Sequence, residues 1–171
     1  MEKVGNFEKS WDKYYYNICI DVADNSKCWS RGIGAILVKD KHVISMGYNG
    51  PPRGMVDCGK RTDISPDYVK ERTCPRYAMG YKSGEGLDYC PAVHAEENSI
   101  LTCARMGVVA KDSIMYMTCG IPCRDCMKKI MNVGIKELVC TNLNYYDELS
   151  KYMVEKSNVK IRLYDFIAEK N

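Results

Sequence analysis

Apolar residues recur at spacings of three and four between residues 7 and 23, where Trp11, Tyr15, Ile18 and Val22 share one face. That period predicts an amphipathic helix. It then changes. Ile33 to Val38 is a short apolar run, Lys39-Asp40-Lys41 has turn composition, and His42 to Met46 reads as a returning strand. From Gly47 to about Val93 no period holds, and the segment is rich in Gly, Pro, Asp and Tyr. A structureless stretch of that length inside a compact domain needs something to tie it down. Helical spacing resumes from His94 to Met106, with Gly107 as its stop. Ser113 to Thr118 predicts a strand, and Pro122 opens a helix running to about Val133, ended by Gly134. Lys136 to Thr141 predicts a strand, Tyr145 to Lys156 a helix, and Val159 to Leu163 a last strand. Strands alternating with helices in this order predict an α/β domain, with helices packed on a central, partly parallel sheet.

The length of 171 residues suits a single domain spanning 1–171. A net charge of +3, with no Lys/Arg stripe or basic tail, gives no surface for tracking the phosphates of a nucleic-acid polymer. The start of the chain, Met1-Glu2-Lys3-Val4-Gly5-Asn6, lacks the apolar core of a signal peptide, and no run approaches the ~18 apolar residues of a membrane span. A cytoplasmic protein without membrane contact is expected. In that reducing compartment, ten cysteines are metal ligands or small buried apolar residues rather than a disulfide framework. Cys19, Cys103 and Cys140 lie in periodic segments and read as core.

Two short segments carry chemistry, His94-Ala95-Glu96 and Pro122-Cys123-Arg124-Asp125-Cys126. Two cysteines separated by two residues at a helix start can turn both sulfurs to one ion, and the unpaired N–H groups there favour thiolates. His94, at the start of the preceding helix, supplies a third ligand. Two sulfurs and one nitrogen leave a tetrahedral zinc one open position, the mark of a catalytic rather than a structural site. Glu96, two residues beyond His94, stands beside the ion rather than on it, where a proton carrier belongs. Taken singly, the C-x-x-C pair reads equally as redox or structural, His94 as a core histidine and Glu96 as a surface residue. Together and in this order they form the H-x-E…P-C-x-x-C signature of zinc deaminases. His42, beside a turn, has no such company, and the Gly120-Ile121-Pro122 turn sets Cys119 apart from the ligand pair.

With these motifs stand Cys28-Trp29-Ser30-Arg31-Gly32-Ile33-Gly34-Ala35, Gly47-Tyr48-Asn49-Gly50-Pro51-Pro52-Arg53-Gly54, Ser83-Gly84-Glu85 and His94-Ala95-Glu96-Glu97-Asn98-Ser99-Ile100. From about Ser26 to Thr141 the chain resembles the deoxycytidylate deaminase family of the cytidine deaminase superfamily. Ser99 stands where that family commonly has alanine. The resemblance implies a three-layer cytidine-deaminase-like fold, with a central mixed five-stranded sheet and helices on both faces. It implies hydrolysis of dCMP to dUMP and ammonia, which supplies dUMP for thymidylate synthesis. In that chemistry Zn²⁺ activates a water and Glu96 carries protons between water, ring and leaving amine. The Ala95 backbone N–H contacts the base, Asn49 the sugar and Arg31 the phosphate. The alternative for Asn49 is a turn residue at positive φ, and for Arg31 a solvated surface charge. The other functions to weigh are deamination of dCTP or another nucleotide or base, and a non-catalytic zinc-stabilised module. Glu96 separates the last from an enzyme.

Bacterial-type members of the resembled family carry cysteines at places corresponding to Cys28, Cys58, Cys74 and Cys90. Four thiolates would close a second, structural Zn²⁺ site and tie down the long loop. The alternative is four reduced cysteines, some buried as small hydrophobes. The resemblance also implies a homo-oligomer, a hexamer above all, with dCTP and Mg²⁺ as activator and dTTP as inhibitor. Gly47, Tyr48, Asn49 and Gly50 are then the effector contact. Arg105 couples neighbouring chains, against the plainer role of complementing a helix C-terminus.

Overall fold

Strand β1 (Gly34–Lys39) is buried over almost its whole length, which places it inside a sheet rather than at its edge. The computed structural model describes residues 11–61, 63–64 and 72–168. Strand β1 pairs antiparallel with β2 (His42–Tyr48) and with β3 (Ile114–Met117). Strand β3 then pairs parallel with β4 (Glu137–Cys140), and β4 parallel with β5 (Lys160–Leu163). The order β2-β1-β3-β4-β5 is a mixed five-stranded sheet, as expected. Asp40 and Lys41, at φ 49° and 64°, form the two-residue turn between β1 and β2, in the left-handed backbone conformation that matches the right-handed twist of the paired strands.

Alternation along the strands separates two cores. Ile36, Val38, Tyr116 and Val139 face helix α1 (Trp11–Ala23), where Tyr15, Cys19 and Val22 meet them with Tyr164. Ala35, Leu37, Met115, Met117, Leu138 and Cys140 face the other way, against α2 (Ala95–Met106) and α3 (Arg124–Asn132). Helix α4 (Glu148–Lys156) packs beside α3. The result is helix, sheet, helix, with Cys19, Cys103 and Cys140 in the core as their spacing predicts. The predicted start of the first helix at residues 7–10 lies outside the described residues.

Three boundaries move. Helix α2 begins at Ala95 with His94 as its N-cap, and α3 at Arg124 with Cys123 as its N-cap, two residues after Pro122. Helix α4 begins at Glu148 rather than Tyr145, because the Asp147 side chain accepts from the Ser150 N–H and Ser150 returns a bond in a capping box. Beyond that cap, Tyr145 and Tyr146 are free to face elsewhere. Among its described residues, the stretch from 47 to 93 holds two 3₁₀ turns, Cys58–Lys60 and Leu87–Tyr89, and one helical turn, Pro75–Ala78. It is pinned to the domain by paired bonds between Gly50 and Val93.

Gly47 sets how closely α2 lies on β2. A Cβ there would overlap the backbone nitrogen of Ser99 and the backbone oxygen of Ala95, so only a hydrogen fits. The opposite face is anchored by charge. Asp12, 3% exposed, accepts from Arg162 Nη2 at 3.0 Å and from the Asp165 N–H at 2.9 Å. Arg162 also donates to Glu137 at 2.6 Å, tying α1, β4 and β5 together. Burial alone would raise the Asp12 pKa, but the bonds from Arg162 and Asp165 outweigh it and hold the carboxyl below its ordinary value. Such a group contributes stability above its unfolded pKa of ~3.9 and loses it as pH falls through the lower folded value. Asp12→Ala is expected to cost ~1–3 kcal/mol at pH 7 in urea unfolding, and less as pH falls toward 3. Equal cost at both pH values would show that the carboxylate charge is not what α1 relies on.

Candidate metal centre and pocket

The starts of α2 and α3 come together because both helices lie on the same face of the sheet. They are clamped by Lys129 Nζ, 3.0 Å from Glu97 Oε2. His94 and Cys123 are the N-caps, and Cys126 sits three residues into α3 on the same side as Cys123. His94 Nδ1 lies 3.5 Å from the sulfur of Cys123 and 3.5 Å from the sulfur of Cys126. Among the described residues, these three form the one group whose donor atoms all lie within 4.8 Å of one another. With Zn–S of about 2.3 Å and Zn–N of about 2.0 Å, a tetrahedral site has an N···S edge of about 3.5 Å. The donor set therefore fits zinc in both chemistry and dimension.

Electrostatics favours the same reading. The bond from Cys126, with that from His94, lowers the Cys123 pKa despite burial, which favours a thiolate at this position. The same bond and burial push Cys126 up. The bond to Cys123 in turn raises His94. Glu96 is 4% exposed, and burial raises its pKa against the opposing pull of its own backbone N–H and of His94. The Cys119 sulfur lies 3.9 Å from Glu96 Oε1, so this cysteine faces the carboxyl and stands apart from the ligand cluster.

A pocket of about 290 Å³ opens here, reached by His94, Ala95, Glu96, Cys119 and Cys123 from one side and by Asn49 and Arg31 from another. Asn49 is 6% exposed and does not have positive φ, so the turn alternative fails. Its Oδ1 accepts from Ser26 Oγ and from the Ile33 N–H, and its Nδ2 donates to the Arg31 carbonyl. Asn49 thus braces the pocket wall and keeps one N–H for a ligand. Arg31 is exposed, but its charge is felt at His94, Glu96 and Cys119. Sequence reading missed Arg76, Asn142, Tyr145 and Tyr146, which also line the pocket. Arg76 and Asn142 come from segments where no period marks a functional face, and Tyr145 and Tyr146 read as the first turn of a helix that in fact begins at Glu148.

Burial pushes the Cys58 thiol up to about 11, and Cys28, Cys90 and Cys74 are near enough to add to it. Among the described residues these four cysteines do not form a group whose sulfurs all lie within 4.8 Å of one another, as the His94 cluster does. The predicted effector residues divide. Gly47, Tyr48 and Arg105 line a separate groove of about 370 Å³, Asn49 faces the pocket at the metal centre, and Gly50 pairs with Val93.

Similarity to known proteins follows this geometry. Deoxycytidylate deaminase of Schizosaccharomyces pombe is 35% identical over 159 residues, 92% of this chain and 45% of that protein. The Saccharomyces cerevisiae deoxycytidylate deaminase is 31% identical, again with 46% of its length covered, so the chain spans about half the length of these two relatives. The deoxycytidylate deaminase of Mycobacterium phage D29 is 34% identical, with 75% of this chain and 92% of that protein covered. The crystal structure of dCMP deaminase from the cyanophage S-TIM5 in complex with dCMP and dUMP has the same fold, with a TM-score of 0.64 at 21% identity over 88% of this chain and 94% of that one. Residues 9–142 match the family described as the cytidine and deoxycytidylate deaminase zinc-binding region, and the chain belongs to that family.

Proposed function

We propose that this chain catalyses the zinc-dependent hydrolysis of dCMP to dUMP and ammonia, supplying dUMP for thymidylate synthesis. The observation that carries the reading is one imidazole nitrogen 3.5 Å from each of two cysteine sulfurs, with the buried Glu96 carboxyl beside them. The choice of dCMP is supported by the names of relatives such as the D29 phage enzyme, which this chain nearly spans. A purely structural zinc site has no use for a buried carboxyl there. The reading takes residues 1–171 as one catalytic domain working in the cytoplasm. Among the described residues no helix is long and apolar enough to cross a membrane.

His94, Cys123 and Cys126 would hold the catalytic Zn²⁺. Bound there, zinc supplies a Lewis acid that brings the pKa of a water toward 7. Glu96 takes one proton of the attacking water and passes it to ring N3, then takes the second from the hydroxyl added at C4 and gives it to the departing amine, so that ammonia leaves as the C4 carbonyl forms. A carboxyl whose pKa is raised by burial suits both directions of transfer. The first N–H groups of α2 have no partner within the helix, and in this reading that of Ala95 donates to the base. The remaining Asn49 N–H contacts the sugar. The pocket volume is near the lower end of small-molecule sites, ~300–1,000 Å³, as a single nucleotide requires.

Cys28, Cys58, Cys74 and Cys90 hold a second, structural Zn²⁺ in this reading, a metal clip for a segment with little regular structure. The groove lined by Gly47, Tyr48 and Arg105 takes the regulatory nucleotides, dCTP with Mg²⁺ as activator and dTTP as inhibitor, within a homohexamer. Asn49 and Gly50 then couple that groove to the substrate pocket, since Asn49 braces its wall.

Glu96→Gln is expected to keep its zinc and fold while losing at least ~10²–10⁴ in the rate of ammonia release from dCMP. Activity within a few-fold of wild type would remove Glu96 from the chemistry. Metal analysis of the purified chain is expected to approach two zinc per chain by the ligand count, and Cys74→Ser to lower both that number and the melting temperature. One zinc in wild type, unchanged by Cys74→Ser, would reject the clip. Saturation with dCMP should be sigmoidal and become hyperbolic with dCTP and Mg²⁺, and Arg105→Glu should flatten that response while turnover persists. A monomer by light scattering, or kinetics indifferent to both triphosphates, would reject the regulatory assignment.

A further inference from the structure

Arg76 sits on the helical turn Pro75–Ala78 and lines the same pocket as Glu96. It is 7% exposed, although arginine stays charged at any ordinary pH. Nη1 donates to the Glu85 carbonyl, and the guanidinium lies 5.6 Å over the Tyr77 ring. Nε is buried with no hydrogen-bond partner. Among the described residues no carboxylate pairs with it. A buried cation in this state is costly unless an anion meets it.

The rest of the pocket says where that anion comes from. Glu96 is the one carboxylate among the described residues that line it, and it stands beside the metal ligands. Arg31, the other cation of the wall, is exposed and already solvated, and its charge reaches His94 and Glu96. Arg76 is not among the leading influences on those two groups. Ser30, Ser83 and Gly84 line the pocket with Arg76, and the Ser30 hydroxyl is held 2.8 Å from the hydroxyl of Tyr77. A planar guanidinium matches a phosphate oxygen pair better than any other side chain.

We infer that Arg76 is the specificity-determining residue that receives the phosphate monoester of the substrate, with Arg31 in a secondary position nearer the reacting end. The inference rests on the deaminase reading and moves the main phosphate contact from Arg31, where the family resemblance puts it, to Arg76. A competing role is to neutralise Cys28 and Cys90, which line the same pocket, as thiolate ligands of the proposed second metal.

The test uses the zinc-loaded full chain, with Arg76→Gln and Arg76→Lys. Ammonia release from dCMP and from deoxycytidine gives the selectivity for the phosphate. Zinc content and melting temperature with and without inorganic phosphate or dUMP give binding without turnover. Arg76→Gln is expected to raise the KM for dCMP and lower the dCMP-to-deoxycytidine ratio of kcat/KM by ~10–100-fold, the scale of a lost hydrogen bond to a charged group. It should also lose the stabilisation that dUMP and phosphate give the wild type, with Arg76→Lys intermediate and zinc retained. Equal losses for both substrates, or zinc loss with the dCMP KM unchanged, would overturn the inference in favour of the thiolate role. If the wild type deaminates neither compound, the deaminase reading fails by itself. The inference is then decided by whether dUMP stabilises the wild type but not the variants. If Arg76→Gln does not fold, the selectivity ratio of Arg76→Lys decides, and a wild-type ratio overturns the inference.

Discussion

The approach of His94 Nδ1 to within 3.5 Å of two sulfurs that lie 29 and 32 residues further along the chain is the constraint on which the site depends. No local propensity produces it. It requires two helices to begin at one point, and that follows from both packing on one face of the sheet. Gly47 lets α2 settle onto β2 at backbone distance, and the Lys129–Glu97 pair holds α3 beside it. Surface ion pairs contribute little on average, ~0–1 kcal/mol, so the shared apolar face carries most of this alignment and the pair sets register.

Helix capping and ligation are one device here. His94 and Cys123 are both N-caps, and neither makes a side-chain cap bond. The local stabilisation that Ser, Thr, Asn or Asp would give in those places, ~0.5–2 kcal/mol, is forgone. The exposed N–H ends instead add positive potential beside the thiols and beside the pocket. Helix α4, remote from the ligands, has the capping box that the two ligand helices lack. The contrast fits a fold that spends local stability where chemistry needs open groups and keeps it where chemistry does not.

Charge is distributed on the same principle. The buried Asp12 is satisfied by Arg162 and by the Asp165 N–H, and it ties the chain near its first described helix to its last strand. Buried Arg76 has one hydrogen bond, an aromatic face and an unpartnered Nε. Of Asp12 and Arg76, both buried, one is fully paired and the other is not, which separates a structural ion pair from a cation still open to an anion.

The residues of the metal centre were legible in the sequence because ligand type and spacing are local: H-x-E and C-x-x-C fall on helix starts whose periodicity is plain. The sheet and its order of helices were legible for the same reason, since alternation and helical spacing report which face of each element is buried. Boundaries at Tyr145 and Pro122 were less so, because caps rather than periodicity end helices. Asn49 read as a sugar contact with a turn residue as the alternative, and the tertiary structure made it the brace of Ser26, Arg31 and Ile33. Arg76 carried no signal at all, lying in an aperiodic stretch beside a proline. Burial decides whether an arginine is a solvated surface charge or an unmet cation in a pocket. Burial at that position comes from contacts such as Glu85 and Tyr77, which the chain makes only once it is folded. Sequence by itself determined which donor residues form the candidate metal centre and how the fold is layered. The tertiary structure alone decided which groups share the pocket, because that depends on distances between segments with no common pattern.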